Sequence, residues 1–322
     1  MSCHIPTFAI TFVGRLQHFN VASTMEPRTL PLDIFLHIID LLAGGDDKDI
    51  KSLQILSQAC KSMVPLCRKY LFSSLLLRNE LDSERLNSEH FHDLLSKNPD
   101  IACYVRRLNY RVYNPTDHEL NSLDILKERS ESSLQSIELI SPGLDWNNLP
   151  ESIRSSLLSL IQLPTVTQLD IYSFEGFPAT ALSGCSNLID LQLGDLELVP
   201  QAPEVNQVIS RSKIPTPVSL YMRTRTSGLD ALLNSATLHT GGPTVDLSCL
   251  QKASFDVNYA FELGRVDELF KVATRLEYFF IKSECPVLSL ILKILTKDIC
   301  STTSAREVGR GGRLMRTGRS NY

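Results

Sequence analysis

Two rhythms of apolar residues divide the chain. Between residues 30 and 72 they recur at helical spacing. Ile34, Phe35, Ile38, Ile39, Leu41 and Leu42 mark a first helix over "LPLDIFLHIIDLL". Ile50, Leu53, Leu56, Ala59 and Cys60 mark a second, and Leu66, Tyr70 and Leu71 a third. Pro31 suits a helix entry, where the first-turn amide needs no partner. "GGDD" at 44–47 breaks the chain and sets aspartates at the positive end of the second helix. Pro65 falls in the first turn of the third, where proline is tolerated. The apolar load exceeds what three short helices can hide among themselves, so a surface for a partner is expected here.

Beyond residue 72 the rhythm shortens to apolar-x-x-apolar-x-apolar. Copies start at 72 ("FSSLLL"), 105 ("VRRLNY"), 134 ("LQSIEL"), 166 ("VTQLDI"), 188 ("LIDLQL"), 250 ("LQKASF") and 276 ("LEYFFI"), hence at separations of 33, 29, 32, 22, 62 and 26 residues. A further copy, "PVSLYM" at 217–222, splits the longest gap. The last two apolar positions of each copy alternate as in a strand with one buried face. Helical stretches such as "EHFHDLLSKNPDI", "ESIRSSLLSLIQL" and "RVDELFKVAT" lie between them. A strand-then-helix unit repeated in this way is the mark of a leucine-rich-repeat solenoid, whose units bury their leucines only by stacking. Leu169 and Ile171 are matched in phase by Leu191 and Leu193, and Cys185 and Asn187 fall at the turn before a repeat strand. Residues 198–216, with three prolines, read as a loop or degenerate repeat.

Composition changes this picture little. The 322 residues carry a net charge of -4 and 43% hydrophobic residues, so no global field favours nucleic acid or an anionic membrane. No apolar run reaches the roughly 18 residues of a spanning helix, the longest being "VLSLILKIL". The eight cysteines form no C-x-x-C pair and read as scattered thiols in a reducing compartment, without a zinc knuckle. The first 25 residues read as a disordered extension or a stretch ahead of the native start, Met25 offering an alternative one. The last 22, with Arg306, Arg310, Arg313, Arg316 and Arg319, form a basic, glycine-rich tail that cannot fold alone. It carries one short RGG-like copy, which reads as a disordered end rather than an RNA-binding segment.

Little in the chain suggests bond chemistry. His90 and His92 stand two apart, a spacing that sends helix side chains to different faces. "GRGGRL" has neither the strand nor the helix of a phosphate loop. Trp146 reads as a packing anchor under a loop. Arg107 and Arg111 would share one face of a strand, a weak candidate for binding acidic or phosphorylated ligands.

Residues 30–72 resemble an F-box. Leu30-Pro31, Asp33, Ile34-Phe35, Ile38-Ile39 and Leu42 follow the family's entry pattern, and Leu53, Leu56 and Ala59-Cys60-Lys61 its middle. The tryptophan common after that point is absent, "SMVPLCRKYLF" standing in its place. The whole chain resembles the F-box proteins numerous in mushroom-forming fungi. The resemblance implies a mixed α/β protein: an N-terminal three-helix F-box at 26–72, an irregular leucine-rich-repeat solenoid of short parallel strands and helices at 73–300, and the tail at 301–322. It implies a non-catalytic substrate receptor of an SCF-type cullin–RING ubiquitin ligase, cytoplasmic or nuclear, without cofactor or metal. Leu30, Pro31, Ile34, Phe35, Ile38 and Leu42 would face the SKP-family adaptor, and through it cullin, with Leu53, Leu56 and Cys60 supporting or extending that surface. The repeats would capture a protein target, not nucleic acid or membrane. The alternative is a repeat scaffold that binds protein without any ligase, its N-terminal helices serving as a cap.

Overall fold

The structure, a computed structural model, describes residues 32–43, 47–59, 63–78, 88–113, 115–199, 214–223, 227–234, 244–256 and 266–282. The N-terminal extension, Leu30, Pro31, Cys60, "VLSLILKIL" and the basic tail lie outside them.

Three helices open the described chain: α1 (Leu32–Ala43), α2 (Asp47–Ala59) and α3 (Met63–Leu71). Each is too short to be stable alone in water, so packing must hold them. They close on a small core of Ile39, Leu53, Met63 and Cys67, against which Phe35, Leu42, Ile50, Leu56, Leu66 and Tyr70 lie half-buried. The Tyr70 hydroxyl donates to Asp40 and ties α3 to α1.

α3 runs through Phe72 into β1 (Ser74–Arg78), the first strand of an eight-stranded parallel sheet. The others are β2 (Arg107–Arg111), β3 (Ser136–Ile140), β4 (Gln168–Tyr172), β6 (Asp190–Gly194), β8 (Ser219–Arg223), β9 (Lys252–Asp256) and β10 (Tyr278–Lys282). Strand order follows chain order throughout. Every strand begins two residues after the start of its apolar pattern, and all eight pair in one register, Leu108↔Ile137↔Leu169↔Leu191↔Leu220↔Ala253 forming one buried row. The copy at 217 is therefore a full member of the sheet. A second, two-stranded parallel sheet joins β5 (Phe177–Pro178) to β7 (Leu198–Val199).

Parallel sheets are ordinarily covered on both faces and read as continuous apolar runs. Here the strands alternate, because the helices among the described residues cover only one face. Between β1 and β4 these are α4 (Ser88–Lys97), α5 (Asp117–Arg129) and α6 (Glu151–Ile161); farther along come α7 (Ser227–Asn234) and α8 (Val266–Val272). Inward strand residues such as Leu139 and Ile171 share one core with Leu95, Leu126, Leu157 and Leu160. Trp146 is buried edge-on against Phe174 (5.8 Å between ring centres) and Phe177 (4.7 Å), a packing anchor. Polar rungs bind successive units: Ser156 to Asp124 (2.7 Å), Thr165 to the Glu131 carbonyl (3.1 Å), Asn187 to the Pro164 carbonyl (2.7 Å). Two strand exits, Ser173 after β4 and Asp195 after β6, take left-handed backbone (φ 59° and 50°) at equivalent positions.

The cysteines among the described residues (Cys67, Cys103, Cys185, Cys249) are free thiols. Burial pushes the Cys185 thiol up to about 12, so it stays protonated and inert. Among the described residues no helix is long and apolar enough to cross a membrane, and no group of three His, Cys, Asp or Glu side chains could hold a metal ion.

Candidate docking face and basic cleft

Helix α1 is apolar on two adjacent stripes. Phe35, Ile39 and Leu42 turn inward, Ile39 wholly buried. Ile34, Ile38 and Leu41, about 100° round the helix, point out with 43%, 38% and 64% of their surface exposed. From α2, Ile55 is exposed as well. An outward stripe of three branched aliphatic residues on one short helix is a surface a partner would cover.

This geometry redistributes the residues expected to meet a partner. Ile34 and Ile38 are exposed as the pattern predicts. Phe35 and Leu42 instead pack half-buried on the helices' own core, and Leu41 takes the outward place expected of Leu42. The reason is the helical angle: position 41 is seven residues from Ile34, two full turns, whereas 42 rotates toward Ile39. Leu53 is wholly buried and has no surface to offer; it supports the helix from beneath. Leu56 is half-buried on the same core.

The open face of the sheet carries the alternate strand residues. Its middle row runs Asn109, Glu138, Asp170 and Gln192 across β2, β3, β4 and β6. The Asn109 amide donates to Glu138, Gln168 donates to Asp170 (3.1 Å), and Tyr172 donates to Gln192 (3.1 Å). Glu138 and Asp170 stand directly opposite each other, a like-charge pairing that costs stability. Burial, helped by the Glu138 and Asp190 charges and opposed by the Gln168 hydrogen bond, pushes the Asp170 carboxyl up to about 6.

Where α3 meets the amino-terminal ends of β2, β3 and β4 there is an open cleft of about 430 Å³. Lys69, Arg106 and Arg107 bring three cations to its lining, Ser136, Thr167 and Gln168 bring donors, and no carboxylate among the described residues lines it. Arg106 and Arg107 hold their place because both backbone N–H groups donate to the Ser73 carbonyl (2.9 Å each). The Lys69 ammonium lies over the Tyr70 ring, 4.4 Å from its centre.

Arg107 and Arg111 do share a strand face, but at opposite ends of β2, about 13 Å apart. Arg107 is exposed on the cleft; Arg111 is half-buried and already has a partner. Lys69 and Arg106 join Arg107 instead. Sequence reasoning missed Lys69 because α3 and β2 meet only in the fold. His92 makes no ligand pair with His90; it faces His118 of α5, ring centres 5.4 Å apart.

Comparison with known protein families, with curated proteins and with solved structures finds no match.

Proposed function

We propose that this protein is the substrate-recognition subunit of an SCF-type cullin–RING ubiquitin ligase. In this reading α1–α3 act as an F-box on the SKP-family adaptor, and the sheet region acts as a leucine-rich-repeat solenoid that receives the target protein. The observation that carries it is the outward stripe of Ile34, Ile38 and Leu41 on a helix that already fills its own core with a second stripe. The Leu-Pro-x-Asp-Ile entry and the in-register parallel strands downstream support it. Such a subunit performs no bond chemistry. It raises the effective concentration of a target lysine near the charged conjugating enzyme, so that transfer becomes in effect intramolecular.

A second reading has an observation of its own. α3 continues directly into β1, and Phe72 packs on the sheet core, as a terminal cap of a repeat scaffold would. Affinity purification with mass spectrometry, with and without residues 25–72, separates the two. The ligase reading expects adaptor and cullin from the full chain and their loss on deletion. Their absence from the full-chain purification favours the scaffold.

A further inference from the structure

We propose that the open face of the sheet over β3, β4 and β6 binds a basic segment of the target protein, seating lysine or arginine side chains on Glu138, Asp170 and Asp190. This rests on the reading of that face as the surface that receives the target, and does not depend on adaptor docking.

The first ground is an unsatisfied carboxylate. Asp170 is 9% exposed and stands in the open-face row between Glu138 and Gln192. Gln168 donates to one of its oxygens (3.1 Å), but the other, Oδ1, has no hydrogen-bond partner among the described residues. A buried acceptor left unpaired is destabilising, and more so when it is charged. The neighbouring charges of Glu138 and Asp190 add repulsion to that cost. A cation from another protein supplies what this row lacks, a donor and a positive charge.

The second ground is the missing counter-charge. Farther along the sheet, acids have their cations: Asp195 lies 3.7 Å from Arg223, and Asp256 lies 3.8 Å from Lys282. Among the described residues Glu138, Asp170 and Asp190 have no cation within 4 Å, although all three are near one another. Glu138 accepts only from the Asn109 amide. On the neighbouring strand β2, Arg107 lines the cleft and Arg111 has a partner of its own.

The third ground is spacing. Glu138 and Asp190 lie two strands and two residues apart in register, about 12 Å between Cα atoms. That is the reach of three to four residues of extended chain, so two basic side chains of one segment can meet both acids. Among the described residues no three such acids are grouped closely enough to hold a metal ion. Tyr172, next to Asp170 on this face, lays its ring over Gly194, where any side chain would collide with it, and donates to Gln192 (3.1 Å). A ring fixed beside carboxylates suits the stem of a lysine or the plane of a guanidinium. Nucleic acid, itself anionic, would be repelled here.

The test uses the full-length chain, immobilised, and four peptide pools with random flanks around two fixed residues four apart: arginines, lysines, glutamines or glutamates. We expect the arginine and lysine pools to be retained about tenfold above the glutamine pool, the scale of one or two charge-assisted hydrogen bonds. This comparison needs no variant. Glu138→Gln with Asp190→Asn should bring both basic pools to the glutamine level. Glu128→Gln with Glu131→Gln, the same change of charge at two exposed acids at the end of α5, should leave retention unchanged. Asp170→Asn should lower retention several-fold while raising the melting temperature, a pair of effects that a merely structural carboxylate would not show. Thermal melts check that each variant is folded. Retention of the glutamine or glutamate pool equal to that of the basic pools overturns the proposal. So does retention that survives the double substitution, an equal loss in the α5 control, or Asp170→Asn that melts higher and binds as before. Binding that appears only when residues 301–322 are deleted gives the face to the chain's own basic tail and overturns it too. Adaptor capture is measured on the same variants: its absence with basic-pool retention intact removes the ligase reading alone. Capture with basic and glutamine pools held equally removes this one alone.

Discussion

The helical unit and the sheet bury the same kinds of residue but leave different things outside. On β2, β4 and β6 the inward positions are leucine, isoleucine or tyrosine and the outward ones are almost all polar, so the region closes its own core. On α1 the inward stripe is satisfied and a second apolar stripe remains. Leu76 and Ile140 are local exceptions on the sheet face, and on the edge strand β10 Tyr278 and Phe280 leave a second exposed apolar pair along one element. Apolar content alone therefore does not single out the proposed dock; what marks it is the angle at which a second stripe lies to a filled first one.

The sharpest way to break this contrast is to truncate each stripe. Ile171→Ala and Ile39→Ala, both wholly buried, should each cost about 2–5 kcal/mol in denaturant unfolding, the first on the sheet transition and the second on the helical unit. Ile34→Ala, half-exposed, should stay within about 0.5 kcal/mol. A cost for Ile34→Ala equal to that for Ile39→Ala would show one core where two stripes are described.

Next in size is the acidic row. The folded state holds the Asp170 proton up to about 6, against an ordinary value of 3.8. Between those values the native chain binds more protons than the unfolded one, so this group's contribution falls as pH rises through the window and is fully unfavourable above it. Asp170→Asn should raise stability at pH 7 by about 1–3 kcal/mol, and the wild-type-minus-variant curve should fall between pH 4 and pH 6. A curve with no slope in that window would remove the buried like-charge pair from the account.

A smaller effect is expected at Tyr110. Its wholly buried hydroxyl donates to Glu119 (3.3 Å), which also accepts from the Thr116 backbone N–H (3.0 Å). Tyr110→Phe should cost about 1 kcal/mol in thermal unfolding, the net worth of one hydrogen bond. The smallest is Arg223→Ala. Its pair with Asp195 spans 3.7 Å with both partners about half exposed, and the melting temperature should not move measurably.

The strands were legible because each buries one face against helices, which forces alternation into every copy. The offset of two residues between pattern and strand holds from Phe72 to Leu276 for that reason. Helix α5 was not legible, because Glu119 and Ser122 lie on its buried face among Leu123 and Leu126 and interrupt the apolar stripe. The paired dipeptides β5 and β7 are too short to carry a period. For the candidate site, Ile34 and Ile38 could be read from spacing, but the exchange of Leu42 for Leu41 required knowing which way α1 faces its neighbours. The cleft was legible only in Arg107. Lys69, Ser136 and Thr167 come from separate segments, and only the register of β2, β3 and β4 beside α3 brings them together.

The outward stripe of α1 is proposed as a dock for the SKP-family adaptor. It is tested most directly by titrating purified SKP-family adaptor against the full-length chain and against Ile34→Asp with Ile38→Asp. We expect saturable binding by the unaltered chain and at least about a hundredfold loss in the double variant, as for two buried anchors of an interface, with the sheet melting as before. Binding left intact by the double variant, or no binding by the unaltered chain, would contradict it.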